Sequence, residues 1–347
     1  MVAYFESIDG VSKLEESSNP ATWMLGVIGA GVGNDAGDRT DFAALFKGSE
    51  KYRQLEANMR REGVTQPSPS VPSLEFDRKR AATNLTQAVF LIKRFIHLYW
   101  RTPSYNLTRI VVSVTVGVSF GITFIGGDYS SYQGINSGLG MSYMTTSYIT
   151  YITFNAVLPI TYRERAPFYR ERSSETYNAF WYFVGSTLVE IPYCFGATLI
   201  FLAIYFPLVG FTGSSEFFAY WLHLTMLVLV LAYFGQLLAY TLPSIDVAAV
   251  ATVVVGSICT LFTGFNPPAG SIPKGYKWLH QLVPHKHTFA GITAIIFEGI
   301  TVKEYVESVF EVQHSDIWSN LVFVVAWIVA LRLLALLALQ FINHQKR

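Results

Sequence analysis

Charged residues are scarce in this sequence. Its 347 residues include 25 Lys and Arg against 24 Asp and Glu, a charged fraction of 14%, whereas soluble globular proteins carry roughly 25%. No Lys or Arg lies between Ser173 and Pro273. The acidic residues of that stretch are Glu175, Glu190, Glu216 and Asp246. So little charge cannot cover the surface of a water-soluble protein, which excludes a soluble enzyme and predicts an integral membrane protein.

Other absences narrow the function further. The net charge of +1 argues against binding to nucleic acid, because such binding needs a basic patch that neutralises phosphates. Both cysteines, Cys194 and Cys259, lie in apolar runs, so no disulfide framework is predicted. The first nine residues show no basic segment followed by an apolar core, so no cleavable signal peptide is expected.

The sequence also lacks a nucleotide-binding motif. The glycine-rich run 29–33 does not have the spacing GxGxxG, and no Gly-Lys-Ser/Thr follows it, so there is no Walker A loop to hold phosphates. We therefore expect no catalytic residue, no enzymatic activity and no bound cofactor in this chain. Three histidines, His280, His285 and His287, lack a carboxylate or Cys at ligand spacing. A polar loop without a metal is predicted there.

Six apolar stretches are long enough to cross a membrane as helices, which requires about 20 residues each. They do not alternate with period two, so a β-barrel is not predicted. The resulting fold class is a mainly α membrane protein with six transmembrane helices, preceded by an amphipathic helix and a mixed polar N-terminal segment. The predicted spans are Leu107–Gly126, Leu139–Ile160, Ala179–Phe206, Phe217–Tyr240, Ile245–Phe265 and Asn320–Ile342.

The positions of Lys and Arg orient these spans. Basic residues cluster in 78–101, in 163–172 and at the C-terminus, whereas the connections after spans one and three contain none. Cytoplasmic loops carry the excess of basic residues, so six spans place both termini in the cytoplasm. Residues 266–319 then form an external loop.

Two short segments have more than one interpretation. Residues Thr83–Arg101 form a basic amphipathic pattern, which is typical of a helix in the membrane interface but equally of a helix packed against protein. The run 163–172 repeats Arg-Glu-Arg around Phe168 and Tyr169. It is either a solvated turn or a docking surface with the two aromatics as anchors.

Among the ionisable residues inside predicted spans, Glu190 and Arg332 call for an interpretation. Glu190 lies within span three, where a charge is costly in lipid, so it should either line a substrate pathway or pair with an internal donor. Arg332 lies near the cytoplasmic end of span six, from which its side chain would extend to the interface.

Several motifs together resemble one family, the full-length pleiotropic-drug-resistance transporters of the ABC G subfamily, and specifically their second transmembrane half. The motifs occur in family order, although Gly26 stands where the family usually has Glu. They are Tyr4-Phe5-Glu6 with Gly10-Val11, Asn19-Pro20-Ala21-Thr22-Trp23-Met24-Leu25, Arg163-Glu164-Arg165 with Phe168–Arg172, Glu190-Ile191-Pro192-Tyr193, and Gly264-Phe265 with Ile272-Pro273 and Trp278.

The resemblance implies an ABC-2 type transmembrane domain and a role for each segment of the chain. It implies the trailing segment of a nucleotide-binding domain plus linker in 1–75, a linker and connecting helix in 76–106, the transmembrane domain in 107–342 and a cytoplasmic tail in 343–347. Coupling to a nucleotide-binding domain is implied for Arg163, Glu164, Arg165, Phe168, Tyr169, Arg170, Glu171 and Arg172. A substrate path is implied for Thr145, Tyr148, Ile149, Ile152, Ser257, Thr260, Gly264 and Phe265.

The resemblance also suggests a function, an ATP-driven exporter of hydrophobic or amphipathic small molecules such as drugs, xenobiotics or lipids, in the plasma membrane. ATP and Mg²⁺ would be bound by nucleotide-binding domains outside this chain. The implied partners are those domains, the other transmembrane half, membrane lipid and the small-molecule substrate. Two alternatives remain: an ion-coupled secondary transporter or channel, and a truncated, non-transporting partner of a full transporter.

Overall fold

A computed structural model describes residues 1–29, 40–61, 65, 80, 82–127, 129, 131–297 and 303–344. Most of the glycine-rich run 29–33 and the proline-rich linker predicted at 66–73 lie outside the described residues. The chain divides into two compact units, Met1–Asp77 and Arg78–Arg347. Within the described residues every regular element is a helix.

The first unit consists of short helices joined by aromatic contacts. The Trp23 ring lies 6.4 Å from Phe5, between ring centroids, and its Nε1 donates a hydrogen bond to the Ser12 carbonyl at 3.1 Å. Asn19 begins the second helix because its side chain accepts from the Ala21 N–H. The helices of this unit are α1 (Val2–Phe5), α2 (Pro20–Val27), α3 (Phe42–Gly48) and α4 (Glu50–Met59).

The second unit is a bundle of long helices around a central one. Its helices are α5 (Asn84–Trp100), α6 (Pro103–Thr123), α7 (Tyr132–Ser173), α8 (Ala179–Val209), α9 (Ser214–Thr241), α10 (Ile245–Leu261), α11 (Lys277–Leu282), α12 (Pro284–Ile296), α13 (Lys303–Phe310) and α14 (Ile317–Phe341). Of the four long apolar helices α6, α8, α9 and α14, the most buried is α9, which contacts α7, α8, α10, α12 and α14.

Four helices in the described residues are long and apolar enough to cross a membrane: Pro103–Thr123, Ala179–Val209, Ser214–Thr241 and His314–Phe341. They correspond to predicted spans one, three, four and six. Predicted span five is shorter than expected, because α10 ends at Leu261 and Gly264 then takes a left-handed φ of 98°. The structure therefore bears out a helical membrane protein without establishing a count of six spans.

Predicted span two is part of a much longer helix. The prediction ended it at Ile160 and continued with a loop, but α7 runs for 42 residues through Pro159 and Pro167 to Ser173. At 1.5 Å per residue it is about 63 Å long, twice the hydrocarbon thickness of a bilayer. The solvated turn at 163–172 is therefore wrong: these residues continue the helix.

The amphipathic helix predicted at 83–101 is present as α5, with Thr83 capping it and Pro103 following its end. Leu91, Phe95 and Tyr99 are buried against the bundle, whereas Leu85 and Val89 are exposed. The helix thus has one apolar face in protein and another free for lipid, so packing against protein is one of its roles.

The polar loop predicted around the three histidines is also wrong. Of the 13 residues of α12, 11 are buried, because this helix packs between α9 and α14. His280 on α11 is likewise buried.

Candidate functional site

The buried acid Glu190 is the centre of a cluster of charged and polar side chains from four helices. Its Oε1 lies 2.8 Å from Arg109 Nη2 on α6, and its Oε2 accepts hydrogen bonds from Tyr99 on α5 at 3.0 Å and from Gln236 on α9 at 3.3 Å. Tyr105 also donates to Oε1. The Glu190 side chain is fully buried and that of Arg109 is 6% exposed. The geometry thus supports an internal pairing for Glu190.

Gln236 connects this ion pair to a second arginine. Its amide oxygen accepts a hydrogen bond from Arg332 Nη1 at 2.9 Å, and the Arg332 guanidinium lies 3.9 Å from the centroid of the Tyr233 ring. Arg332 was expected to extend to the interface, but it is buried because α9 offers it this polar and aromatic environment. We call Arg109, Glu190, Gln236 and Arg332 the buried charge cluster.

The sequence analysis missed the partners of Glu190, although one signal was available. Arg109 is the only basic residue between Thr102 and Tyr162, and a lone base in one apolar helix is the natural partner of a lone acid in another. No sequence feature predicts that Gln236 contacts Glu190, because an amide side chain in an apolar run does not indicate which residue it contacts.

A second group of charges lies at the end of the bundle where α7 carries its arginines, which we call the Arg-rich end. Arg94 on α5 bridges two acids of α7: its Nη2 is 3.0 Å from Glu164 Oε2 and its Nη1 is 2.6 Å from Glu171 Oε2. Burial opposes the charge of Arg94, but the hydrogen bond to Glu171 and the charges of both acids outweigh it and raise the pKa of Arg94. This Arg94 bridge joins α5 to α7.

Two arginines of α7 bind the carbonyl-rich ends of other helices. Arg165 donates to the Ala239 carbonyl at 2.9 Å and to the Pro243 carbonyl at 2.8 Å, at the end of α9. Arg172 donates to the Leu339 carbonyl at 2.7 Å, at the end of α14. The last carbonyls of a helix have no partner within it, so each guanidinium supplies donors that the helix lacks.

The other coupling residues divide into buried and exposed ones. Phe168 and Tyr169 were considered as docking anchors, but both are buried within this chain, and the Phe168 ring lies 4.4 Å from that of Tyr182 on α8. They hold α7 against α8 and are not exposed to a partner. Arg163 and Arg170 are exposed. An outward contact at this end therefore falls to the arginines.

The four substrate-path candidates on α7 do not share one environment. Thr145 is fully buried, with its hydroxyl 3.5 Å from that of Tyr205 on α8, and Ile149 is buried as well. Tyr148 is half exposed, while Ile152 is partly buried and lies beside α6. Ile149 lines a second, small cavity with Val112 on α6 and Phe201 on α8, whereas Thr145 does not.

The candidates at the end of α10 are also separated. Ser257 is exposed and lies 3.3 Å from the hydroxyl of Tyr151, which joins α10 to α7. Thr260 is partly buried. Gly264 forms the turn after α10, and the Phe265 ring stacks on that of Phe310 at 5.9 Å. Phe265 thus belongs to an aromatic cluster at the end of the bundle opposite the arginines.

A cavity of about 520 Å³ lies between α6 and α7. The path candidates Tyr148 and Ile152 line it, together with Arg109 of the buried charge cluster and Arg163 of the Arg-rich end. Its walls otherwise combine hydroxyl and apolar side chains. We call it the α6–α7 cavity.

Long apolar helices around a buried ion pair, with charged side chains gathered at one end, are features of a helical membrane domain. Comparison with known sequences agrees: the ABC-2 type transporter family matches residues 86–297, and the CDR ABC transporter family matches residues 298–347. The chain therefore belongs to the ABC-2 type transporter family. The histidines do not alter this assignment, since the described residues contain no group of three or more His, Cys, Asp or Glu that could hold a metal ion.

Curated relatives are plant proteins. ABC transporter G family member 36 of Oryza sativa subsp. indica is 29% identical over 358 residues, covering 100% of this chain and 24% of the relative. Pleiotropic drug resistance protein 1 of Petunia axillaris is 28% identical over 358 residues, with the same coverage of both. The chain thus spans about a quarter of the length of the curated relatives it matches.

Proposed function

We propose that this chain is one transmembrane half of an ATP-driven exporter of hydrophobic or amphipathic small molecules. One observation supports the coupling most directly: α7 is continuous from the residues beside the α6–α7 cavity to the Arg-rich end. An α-helix rises 1.5 Å per residue, so a force applied near Arg170 would act on cavity residues from Arg163, about 10 Å along the helix, to Tyr148, about 33 Å along it.

The helices at the Arg-rich end would move together under this force. The Arg94 bridge, Arg165 and Arg172 attach α7 to α5, α9 and α14, so α7 cannot tilt there without carrying three other helices. Nucleotide-binding domains outside this chain would bind ATP and Mg²⁺ and supply the closing motion. Two arrangements of the bundle, biased by nucleotide, then give access to the cavity from alternate sides.

The proposed setting follows the distribution of charge. The Arg-rich end would face the cytoplasm with both termini, in the plasma membrane, and the α11–α13 segment would face outward. Residues 1–75 would be the trailing part of a nucleotide-binding domain with its linker, 76–106 the linker and connecting helix, 107–342 the transmembrane domain, and 343–347 a tail. Of the tail, residues 345–347 lie outside the described residues.

The ion-coupled alternative depends on Glu190, the intramembrane acid. An ion-coupling carboxylate must release its partner to bind a cation, whereas Glu190 holds Arg109 at 2.8 Å and accepts three further hydrogen bonds from neighbouring side chains. The truncated-partner alternative predicts association with a full transporter but no transport that depends on this chain.

The test is transport in inside-out membrane vesicles that contain the assembled transporter with its nucleotide-binding domains. We expect a hydrophobic fluorescent substrate to accumulate in the vesicles with ATP and not with a non-hydrolysable analogue. Accumulation driven by an ion gradient without ATP would favour the secondary transporter. Unchanged ATP-driven accumulation after removal of this chain would favour the non-transporting partner.

A further inference from the structure

The α6–α7 cavity is more polar at one end than at the other. Thr102, Ser104 and Arg163 lie at the polar end, and Val112 and Ile152, with the rings of Tyr148 and Tyr151, lie at the other. Ten residues of α6 separate Thr102 from Val112, which corresponds to about 15 Å along the helix. This is half of the roughly 30 Å hydrocarbon thickness of a bilayer, the depth of a single leaflet.

The charge of the cavity wall is positive. Its lining contains two arginines and no acidic residue. Arg109 is neutralised by Glu190 behind it, but Arg163 has no such partner among the described residues. In the part of the chain that the structure describes, its side chain makes one hydrogen bond, to the Thr102 hydroxyl at 3.2 Å, and no ion pair. That bond holds the guanidinium across the polar end, with donors left over for an anion.

The cavity reaches the surface of the chain. Ser104 and Thr108 on α6 and Asn155 on α7 are exposed, and Tyr148 is half exposed. The outer surface of α6 beside this opening is apolar, with Ile110 and Val111 about half exposed. A molecule could thus move into the cavity sideways from lipid, without passing through the bundle.

We propose that the α6–α7 cavity binds an anionic phospholipid of the cytoplasmic leaflet, with the phosphate against Arg163 and an acyl chain along Val112 and Ile152. Arginine is suited to phosphate because its planar guanidinium donates parallel hydrogen bonds. The hydroxyl of Ser104 offers a further donor beside it, whereas that of Thr102 already donates to the Leu98 carbonyl. This assignment rests on the proposed orientation of the bundle but not on transport, since the lipid is a bound component and not the exported molecule.

The test uses the purified full transporter and phosphatidylserine with a photoactivatable group near the end of one acyl chain, without ATP. Labelled peptides are identified by mass spectrometry. We expect labelling near Val112 and Ile152, and about a tenfold loss of it in Arg163→Gln, which removes one charge-assisted contact. Arg170→Gln is the matched control: it is exposed on the same helix, outside the cavity, and should stay within twofold of wild type.

A second pair of variants tests the space itself. Thr108→Trp fills the cavity and should abolish the labelling, whereas Val111→Trp places the same side chain on the outer surface of α6 and should retain it. Both are exposed sites, so each variant is expected to fold.

Four outcomes overturn the proposal. Three are equal labelling of Arg163→Gln and Arg170→Gln, equal labelling by a phosphatidylcholine probe, and retained labelling in Thr108→Trp. The fourth is displacement of the lipid probe by millimolar inorganic phosphate, which would show that the site takes free phosphate and that the lipid assignment is wrong. Failure of ATP-driven transport would not affect any of these results, because binding is measured without nucleotide.

Discussion

Arg109 on α6 and Glu190 on α8 form an ion pair with 2.8 Å between Nη2 and Oε1, and both side chains are buried. Around it, one carboxylate lies among two guanidinium groups, because Gln236 links Glu190 to Arg332. The buried charge cluster therefore joins α6, α8, α9 and α14. Removing either partner would leave a charge buried without compensation.

Glu190→Gln should destabilise the bundle by about 3–5 kcal/mol, the usual cost of breaking a buried ion pair. Arg109 then remains buried without its counter-charge. The measurement is the thermal unfolding midpoint of the purified transporter in one detergent. The double variant Arg109→Gln/Glu190→Gln should recover part of the loss. Asp246 is an exposed acid at the start of α10 and provides the control, Asp246→Asn, which should stay close to wild type. An equal midpoint for Glu190→Gln would show that the ion pair contributes no stability.

Gly264 separates a structural role from a substrate-path role. Its φ is 98°, and a Cβ there would lie 2.7 Å from His280 Cε1, on a ring fixed by its 2.8 Å bond to the Phe262 carbonyl. The strain of a positive φ and the steric overlap of the new Cβ with His280 should together lower the free energy of unfolding of Gly264→Ala by about 2–4 kcal/mol. Gly196→Ala, at a helical site with open space around it, should not destabilise. Lost transport with an unchanged unfolding midpoint would instead support a place for Gly264 in the substrate path.

The α11–α13 segment should be sensitive to acid. Burial lowers the pKa of His285 to about 3, and burial also lowers the pKa of His287. In the unfolded chain both titrate near pH 6.5, so between that value and the folded pKa the unfolded state binds more protons and stability falls as pH falls. When the pH falls from 7.5 to 5, the titration of His285 alone should lower the free energy of unfolding by about 2 kcal/mol.

The matched variants for this effect are His285→Gln, which removes the titrating ring, and His97→Gln at an exposed histidine of α5. Unfolding midpoints measured between pH 7.5 and 5 should vary less in His285→Gln than in wild type, while His97→Gln should retain the wild-type slope. Identical slopes for wild type and His285→Gln would contradict a buried neutral imidazole.

The sequence predicted most of the long helices because their apolar runs are longer than any soluble helix requires. It failed at the end of span two, since the run 163–172 reads as polar when only its composition is considered. In the structure its charges are satisfied by partners distant in sequence: Arg94 for Glu164, and helix-end carbonyls for Arg165. The helix α7 continues through Pro167.

The candidate site was predictable to a smaller extent. Glu190 was recognisable as a costly charge, and Arg109 could have been paired with it by elimination. The burial of Thr145, Ile149 and Phe168 could not have been predicted from the sequence. Helical spacing tells which residues share a face but not which neighbouring helix covers that face. The cavity between α6 and α7 depends on how those two helices cross, and no local pattern encodes that.

The central claim is that α7 transmits nucleotide-driven motion through the Arg94 bridge. The most direct measurement is substrate-stimulated ATPase activity of the assembled transporter, in wild type, Arg94→Gln and the neighbouring control Lys93→Gln, whose side chain is exposed. We expect Arg94→Gln to retain basal ATP hydrolysis, but the increase in its ATPase rate caused by substrate should be about tenfold smaller than in wild type. In Lys93→Gln this increase should equal that of wild type. Full stimulation in Arg94→Gln, with transport intact, would contradict the coupling role of the Arg-rich end.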